Sequence, residues 1–538
     1  MAKAGRRFRR VSASVALAAT CASALVACSS GDGAREKKEP KNESYFGYQV
    51  NAPLVTTNAA SVTGKSVNAE VLSARLYPGP FVHGPAGQMI PNTDLATAEQ
   101  VEAPVPTLKY TIAPEARYSD GNPITCVDFQ LSYMASVHTD IFRSNQPLMS
   151  EIASLDCALD SKEFTVTFQE NKGSRWRELF TPGTVLPAHA LAAKAGTDEA
   201  GLHAALNVSD YSVLQPVAEA WNTGFDLANF DPALQVSAGP FVIDHVGEQG
   251  EVALRRNPEY NGDPAELEKL IVWPRQADSA ALAASGALKV AEAATATPSW
   301  VNRDDQANPF AIESVAGIRT ESLVMSPTGT YSDPWARESL SACVDRAAVA
   351  RVSTERSGVK VDPVAFHTID HANPIGRLLE DIAAAHSNPD IARASQATGA
   401  HVRIGYAGPD ERKAAMVEAI RVSCEPAGIT VVDASQEGAT MAGFGDPVTG
   451  ESTIDAFLTA IDPMTFYPAS APDITKLNEL RADEEEQWKQ LPAIPLAAEP
   501  RAFVRHREVG NVVEYTGATG IGWNMDRWHE IQGEEDKR

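Results

Sequence analysis

The feature that most limits this chain lies at its front. Lys3, Arg6, Arg7, Arg9 and Arg10 make a basic head, and residues 11–27 follow without one charge. A positive head and a short uncharged run are the pattern of a secretion signal; the run is too short and wrongly flanked for a lasting membrane span. An exported chain folds in an oxidising compartment without ATP, which narrows both its chemistry and the use of its cysteines. Arg6-Arg7 leaves two export routes open, a twin-arginine route or the general one.

The signal ends in Leu25-Val26-Ala27-Cys28, followed by Ser29-Ser30-Gly31. This resembles the lipobox of bacterial lipoproteins, which implies cleavage before Cys28 and lipidation of its thiol. Two or more acyl chains hold a protein firmly to a membrane, so the expected location is the extracytoplasmic face of the cell membrane. Residues 29–43 carry no apolar run and read as a flexible tether of roughly 20 Å.

The remaining cysteines, Cys126, Cys157, Cys343 and Cys424, are even in number. The sequence-local pairing, 126 with 157 and 343 with 424, keeps each bridge within one lobe; four free buried thiols are the alternative. The 538 residues suggest two to four lobes at about 150 residues each. With 46 Lys and Arg against 70 Asp and Glu, the net charge is −24. Neutralising a phosphate backbone needs clustered cations, so a nucleic-acid partner is excluded. A composition 43% hydrophobic and 22% charged is that of a globular chain.

Strand-like and helix-like stretches alternate, which reads as α/β. Residues 107–112 and 164–168 alternate apolar and polar side chains. Thr125 and Asp128 are placed as N-cap and N3 of a helix. Asp333-Pro334 opens another, whose apolar face would be Trp335, Leu340, Cys343, Val344 and Ala347. Residues 411–424 form a third, and Ala427-Gly428-Ile429 stops it before a strand. Segments 197–210 and 433–452 are polar, weakly patterned and expected to be loop.

Catalytic patterns come up short. Thr63-Gly64-Lys65-Ser66 lacks the first glycine of a phosphate-binding loop, where Ala59 stands. The glycines of 517–522 do not open a helix after a strand, and no G-x-S-x-G is present. His367 and His371 are four apart but sit in a loop-like segment without a third ligand, so a solvated pair is expected and no metal. Neither an enzyme nor a cofactor is expected.

Three stretches carry a resemblance. Residues 110–125, YTIAPEARYSDGNPIT, with Asp128 beyond them, Ala238-Gly239-Pro240-Phe241 with Arg256-Asn257-Pro258-Glu259-Tyr260, and residues 333–346, ending Asp345-Arg346, are similar to landmarks of the family 5 extracellular solute-binding proteins. Ala427-Gly428-Ile429 and residues 491–496 fit later landmarks in the same order. These are the peptide- and nickel-type receptors of ABC importers. The resemblance implies a two-lobed clamshell of the large peptide-binding type with an extra subdomain. Its layout would be signal 1–27, lipidated Cys and tether 28–43, and lobe I at 44–75, 208–300 and 492–538. The subdomain would take 76–207 and lobe II 301–491. It also implies a monomer serving a permease and ATPase, with a ligand between the lobes.

In peptide-binding members a second-lobe carboxylate pairs with the ligand's α-amino group. Asp462 is the positional match, with Thr459 just before it. The family's Gly-Trp is replaced here by Leu458-Thr459-Ala460, and an Asp that merely caps a turn is the other reading. Residues 174–180, SRWRELF, and Leu186-Pro187-Ala188-His189 resemble a mycobacterial lipoprotein regulating lipoarabinomannan assembly, which implies a second function class: a regulatory lipoprotein binding a phosphatidylinositol-mannoside glycolipid or a biosynthetic partner. On the plain reading Trp176 and Phe180 are core residues of one helix, and Arg175 and Arg177 face either an anionic headgroup or solvent.

Overall fold

A computed structural model describes residues 45–531 except 86, 437 and 446–449. The signal, Cys28 and the tether lie outside the described residues. Two hydrophobic cores organise the chain. One is built around Tyr48, Tyr77, Phe129, Trp221 and Trp528, the other around Leu323, Leu340, Ile404, Ile420 and Trp488. They define a first and a second lobe. A smaller cluster with Ala59, Val67, Val324, Phe457 and Tyr467 lies on the seam.

A ten-stranded mixed sheet passes through both lobes. Its spine is a ribbon of two long antiparallel strands, Phe310–Met325 and Ala493–His506. One end of the ribbon pairs with Leu288–Glu292 of the first lobe, the other with Ala456–Ile461 of the second. Between these ends the register slips from Ala316 to Thr320. Such a slip bends a strand pair, and here it turns Arg319 and Glu499 into the space between the lobes.

The landmarks have local physical causes. Thr125 and Asp128 form a reciprocal capping box at the head of helix Cys126–Val137, which satisfies two backbone donors a helix start leaves unpaired. The other Asp128 oxygen accepts from Ala188 N at 2.8 Å. Asn257 donates to the carbonyl of Gly239 at 2.8 Å, so the Asn-Pro turn and the Gly-Pro strand are one bonded unit. A Cβ on Gly239 would meet the Arg75 carbonyl at 2.2 Å. Strands Ala96–Val101, Thr107–Ile112, Glu163–Phe168 and Ile152–Cys157 form a separate antiparallel sheet.

Three expectations are corrected. Segment 197–210 is not loop. Asp198 caps helix Glu199–Val208, which buries Leu202, Ala205 and Leu206; the stripe is narrow, and so the pattern is weak. Helix Pro334–Cys343 does not reach Ala347. Asp345 caps a new helix, Arg346–Ser357, leaving Ala347 exposed and Trp335 half exposed. Trp176 and Phe180 are both buried, but a 3-10 turn covers only Trp176–Glu178 and Phe180 adopts φ 55°.

Cys126 is joined to Cys157 and Cys343 to Cys424. The second bridge ties the end of helix Pro334–Cys343 to that of helix Glu411–Cys424. Closing a loop of 81 residues stabilises by about 4 kcal/mol in the chain-entropy view. Reduction is therefore expected to lower the melting temperature markedly, with non-reducing peptide maps giving these two pairs; four free thiols in such a map would refute them.

Candidate functional site

Two connected cavities occupy the space between the lobes, sharing Asn68, Arg319, Thr459 and Ala460. The first spans about 780 Å³ of atom-free space, counting the part open to solvent. Its walls are largely apolar, with Leu148, Met149, Leu179 and Phe180 from the first lobe and Val324, Met441, Ile461 and Phe466 from the second. The second spans about 660 Å³ on the same measure and is lined chiefly by charge.

Asp462 stands at the end of strand Ala456–Ile461, in the wall of the first cavity. It caps the turn Pro463–Phe466, one oxygen accepting from Met464 N at 2.9 Å. The other oxygen takes no hydrogen bond among the described residues. Glu70 and Glu178 line the same cavity. Lys65 pairs with Glu70 at 2.7 Å and His83 with Glu178 at 2.9 Å. Burial works against the charged form of His83, yet Glu178, with Asp462 and Glu70 behind it, holds the ring up at about 9. Burial pushes the Asp462 carboxyl up to about 6; Glu178 adds to the rise and His83 opposes it. Two of the three carboxylates therefore have a cation in contact, and Asp462 has none among the described residues.

The strand leading to Asp462 has an open edge. Its inner side pairs with Phe310–Met325 along its full length. Its outer side pairs with His401–Gly405 only at Ala456 and Phe457. Ser326 N bonds to Asp455 O and Met325 N to Pro492 O, so Phe457, Thr459 and Ile461 turn their backbone groups inward to Phe310–Met325. On the outer side the backbone groups of Ala460, which also lines both cavities, have no strand partner among the described residues. Thr459 lines both cavities.

In the second cavity Arg319 grips Glu499 with two bonds, of 2.9 and 2.6 Å. Arg501 joins Glu292 at 2.9 Å, Arg275 joins Asp410 at 3.1 Å, and Arg412 joins Glu321. Against the effect of burial, Arg319 and Arg501 hold the Glu499 carboxyl down at about 2. Four carboxylates thus meet four guanidiniums, and Lys413 is the remaining cation. Burial pushes its ammonium below the usual lysine range against the pull of Glu321 and Asp410.

Residues 91–472 match the family described as bacterial extracellular solute-binding proteins, family 5. The chain belongs to that family. A lipoprotein of Mycobacterium tuberculosis, named as uncharacterised, is 28% identical over 560 residues, covering 94% of this chain and 95% of its own. A probable monoacyl phosphatidylinositol tetramannoside-binding protein of the same species is 28% identical over 230 residues, 42% of this chain and 31% of its own. Among solved structures, the oligopeptide-binding protein of Thermus thermophilus complexed with a pentapeptide superposes with a TM-score of 0.64 at 14% identity, covering 90% of this chain and 96% of its own. The fold is thus the two-lobed clamshell of family 5 binding proteins, and the cavities lie in its cleft. Among the described residues no helix is long and apolar enough to cross a membrane.

The histidine and arginine expectations need correction. His367 is not solvated; it is fully buried, with Glu484 3.1 Å from Nδ1, and His371 is half-buried. Arg175 faces neither solvent nor a headgroup site, being 3% exposed among backbone carbonyls. Arg177 covers the Trp176 ring at 4.3 Å. Lys65, from the phosphate-loop look-alike, is the cation on Glu70. Sequence reasoning missed His83, Glu178, Arg319, Lys413, Glu499 and Arg501; no local pattern marks them, because their partners lie far along the chain.

Proposed function

We propose that this chain is a lipid-anchored receptor of an ABC importer that captures short peptides between its lobes. The observation that carries this reading is the uncompensated carboxylate of Asp462, set at the end of a strand edge with free backbone groups. An extended peptide can add to that edge, its main chain bonding to Ala460 while side chains enter the apolar cavity. Its terminal ammonium then supplies the cation Asp462 lacks. Its carboxylate is suited to Lys413, which contributes the surplus charge of the second cavity. No covalent chemistry is involved: only a ligand touching both lobes shifts the equilibrium between open and closed forms.

The rest of the reading follows the same logic. Lipidated Cys28 holds the receptor at the outer membrane face, the two disulfides stiffen its lobes, and lobe II, 301–491, closes on lobe I. The permease and ATPase of the importer would receive the closed, monomeric form. The lipoprotein relative supports the anchor.

One observation favours a second reading. The first cavity is more apolar than peptide backbone needs, and a relative is named for a mannosylated phosphoinositide. A regulatory glycolipid-binding lipoprotein would put an acyl chain there and sugars among the charges. Native mass spectrometry of gently purified protein separates the two. A ladder of increments of peptide mass supports the importer receptor; one increment of lipid mass overturns it in favour of the glycolipid reading.

A further inference from the structure

Arg175 is the most deeply buried charge that crosses between the lobes, and neither reading of the ligand uses it. It sits beside Trp176, whose ring is fixed in the first lobe edge-on against Phe81, 5.4 Å between centroids. From there its guanidinium enters the second lobe. It donates to the carbonyls of Thr368 at 2.7 Å, Ser470 at 2.9 Å, Pro463 at 3.0 Å, Tyr467 at 3.2 Å and Met464 at 3.4 Å. No carboxylate lies within ion-pair distance of it among the described residues. Neighbouring Ser174 accepts from Ala471 N at 2.9 Å.

We propose that Arg175 is the latch of the clamshell, a first-lobe cation that holds the protein closed by seating in a nest of second-lobe carbonyls. The nest is built without its guest. Glu484 accepts from the backbone of His367 and Thr368 and from the Thr368 hydroxyl. Asp483 accepts from Ser470 N at 2.7 Å, and Asp462 caps the turn that presents Pro463 and Met464. All of these donors and acceptors belong to the second lobe. It therefore offers preformed acceptors, and the first lobe offers a planar fork with five N–H groups.

The energetics make the latch two-state. Removing a guanidinium from water costs several kcal/mol, and charge-assisted bonds offset that only when all are made together. A slight opening would strand a desolvated cation, so the seat is either filled or fully vacated into water. Burial pushes the Arg175 guanidinium down to about 10, Glu178 and Glu151 opposing, which leaves it charged at neutral pH. Other contacts across the cleft include Ser66 Oγ with Met441 N at 2.8 Å and Arg275, which pairs with Asp410 and donates to one carbonyl, that of Ala407, at 2.8 Å. Arg275 keeps a carboxylate partner, and Arg175 has carbonyls alone. Pro463 and Met464 belong to the turn Asp462 caps, so ligand and latch act on one element. That last link rests on the amine-anchor reading; the latch itself does not.

The test uses the mature full chain, unfolded and refolded to strip any ligand, in small-angle scattering with amide exchange on residues 463–471. Wild type is expected to be compact. Arg175→Met is expected to have a larger radius and exchange about tenfold faster at 463–471, with exchange at 107–112 unchanged. Arg177→Met, whose guanidinium only covers Trp176, is expected to match wild type. Should Arg175→Met fail to refold, Arg175→Lys is read instead; three N–H groups on one nitrogen cannot reach five carbonyls, so it too is expected to open. An open wild type, or a variant as compact as a closed wild type, overturns the latch. Because no ligand is added, neither result bears on what the cleft binds.

Discussion

Asp462→Asn is expected to lower the affinity for unblocked trialanine at least about a hundredfold, read by calorimetry at pH 7.5. Breaking a desolvated ion pair by removing one partner costs about 3–5 kcal/mol, and each 1.4 kcal/mol is about tenfold in affinity. Asparagine caps a helical turn as well as aspartate does, so it can still accept from Met464 N and the turn 463–466 stays in place. What is lost is the charge alone. N-acetylated trialanine, which has no ammonium, is expected to bind both proteins weakly and alike. Equal binding of the unblocked peptide by wild type and variant would remove the amine anchor while leaving the receptor fold untouched.

The same carboxylate fixes a pH dependence whose sign follows from its environment. With its pKa pushed up to about 6, Asp462 must lose a proton to pair with an ammonium, so wild-type affinity is expected to fall about tenfold per pH unit below about 6. The Asn variant should show no such fall. His83 remains protonated until about 9 and does not reverse the trend. The raised value also means that the folded free protein holds its proton more tightly than the unfolded chain. Its stability contribution is therefore lost as pH rises from the ordinary carboxylate value through about 6. The Asn variant is expected to melt no lower than wild type at pH 7.5, which separates lost affinity from lost fold.

What could be read from the chain follows the range of each interaction. The Thr125 cap, the Asn257 turn and the Gly428 helix stop are set by residues two to four positions away or by one glycine's φ of 74°. Their composition is sufficient to recognise them. The cleft is assembled otherwise. His83 meets Glu178 across 95 positions and Arg319 meets Glu499 across 180, and nothing near either residue announces its partner. Arg175 illustrates the cost of lacking the partner: among Ser174, Arg177 and Glu178 it reads as surface, yet it is buried because five carbonyls about 190 to 295 positions away receive it. Asp462 was legible only through family resemblance; one oxygen caps the turn, and the amine-anchor role proposed for the other is what Asp462→Asn tests.

Glu484 is expected to dominate the stability of the second lobe, although nothing in helix Leu477–Gln490 sets it apart from Glu485 and Glu486 by sequence. Its carboxylate is fully buried. It accepts from His367 N at 2.9 Å, Thr368 N at 2.9 Å and Thr368 Oγ1 at 2.7 Å, with His367 Nδ1 at 3.1 Å. Glu484→Leu leaves those donors buried without acceptors and is expected to cost about 3–5 kcal/mol in urea unfolding. Glu486→Leu, on the solvent side of the same helix, should stay within about 0.5 kcal/mol of wild type. Burial would raise the Glu484 carboxyl, but His367 and Thr368 overcome it and hold the group below the usual glutamate range. The stabilisation it gives is therefore complete above the ordinary glutamate value and lost as pH falls through the lower folded value. Wild type should lose stability on acidification in that window by more than Glu484→Leu does, so the two unfolding curves converge at low pH. A constant gap between them would mean that the carboxylate's charge is irrelevant and that the loss is one of packing alone.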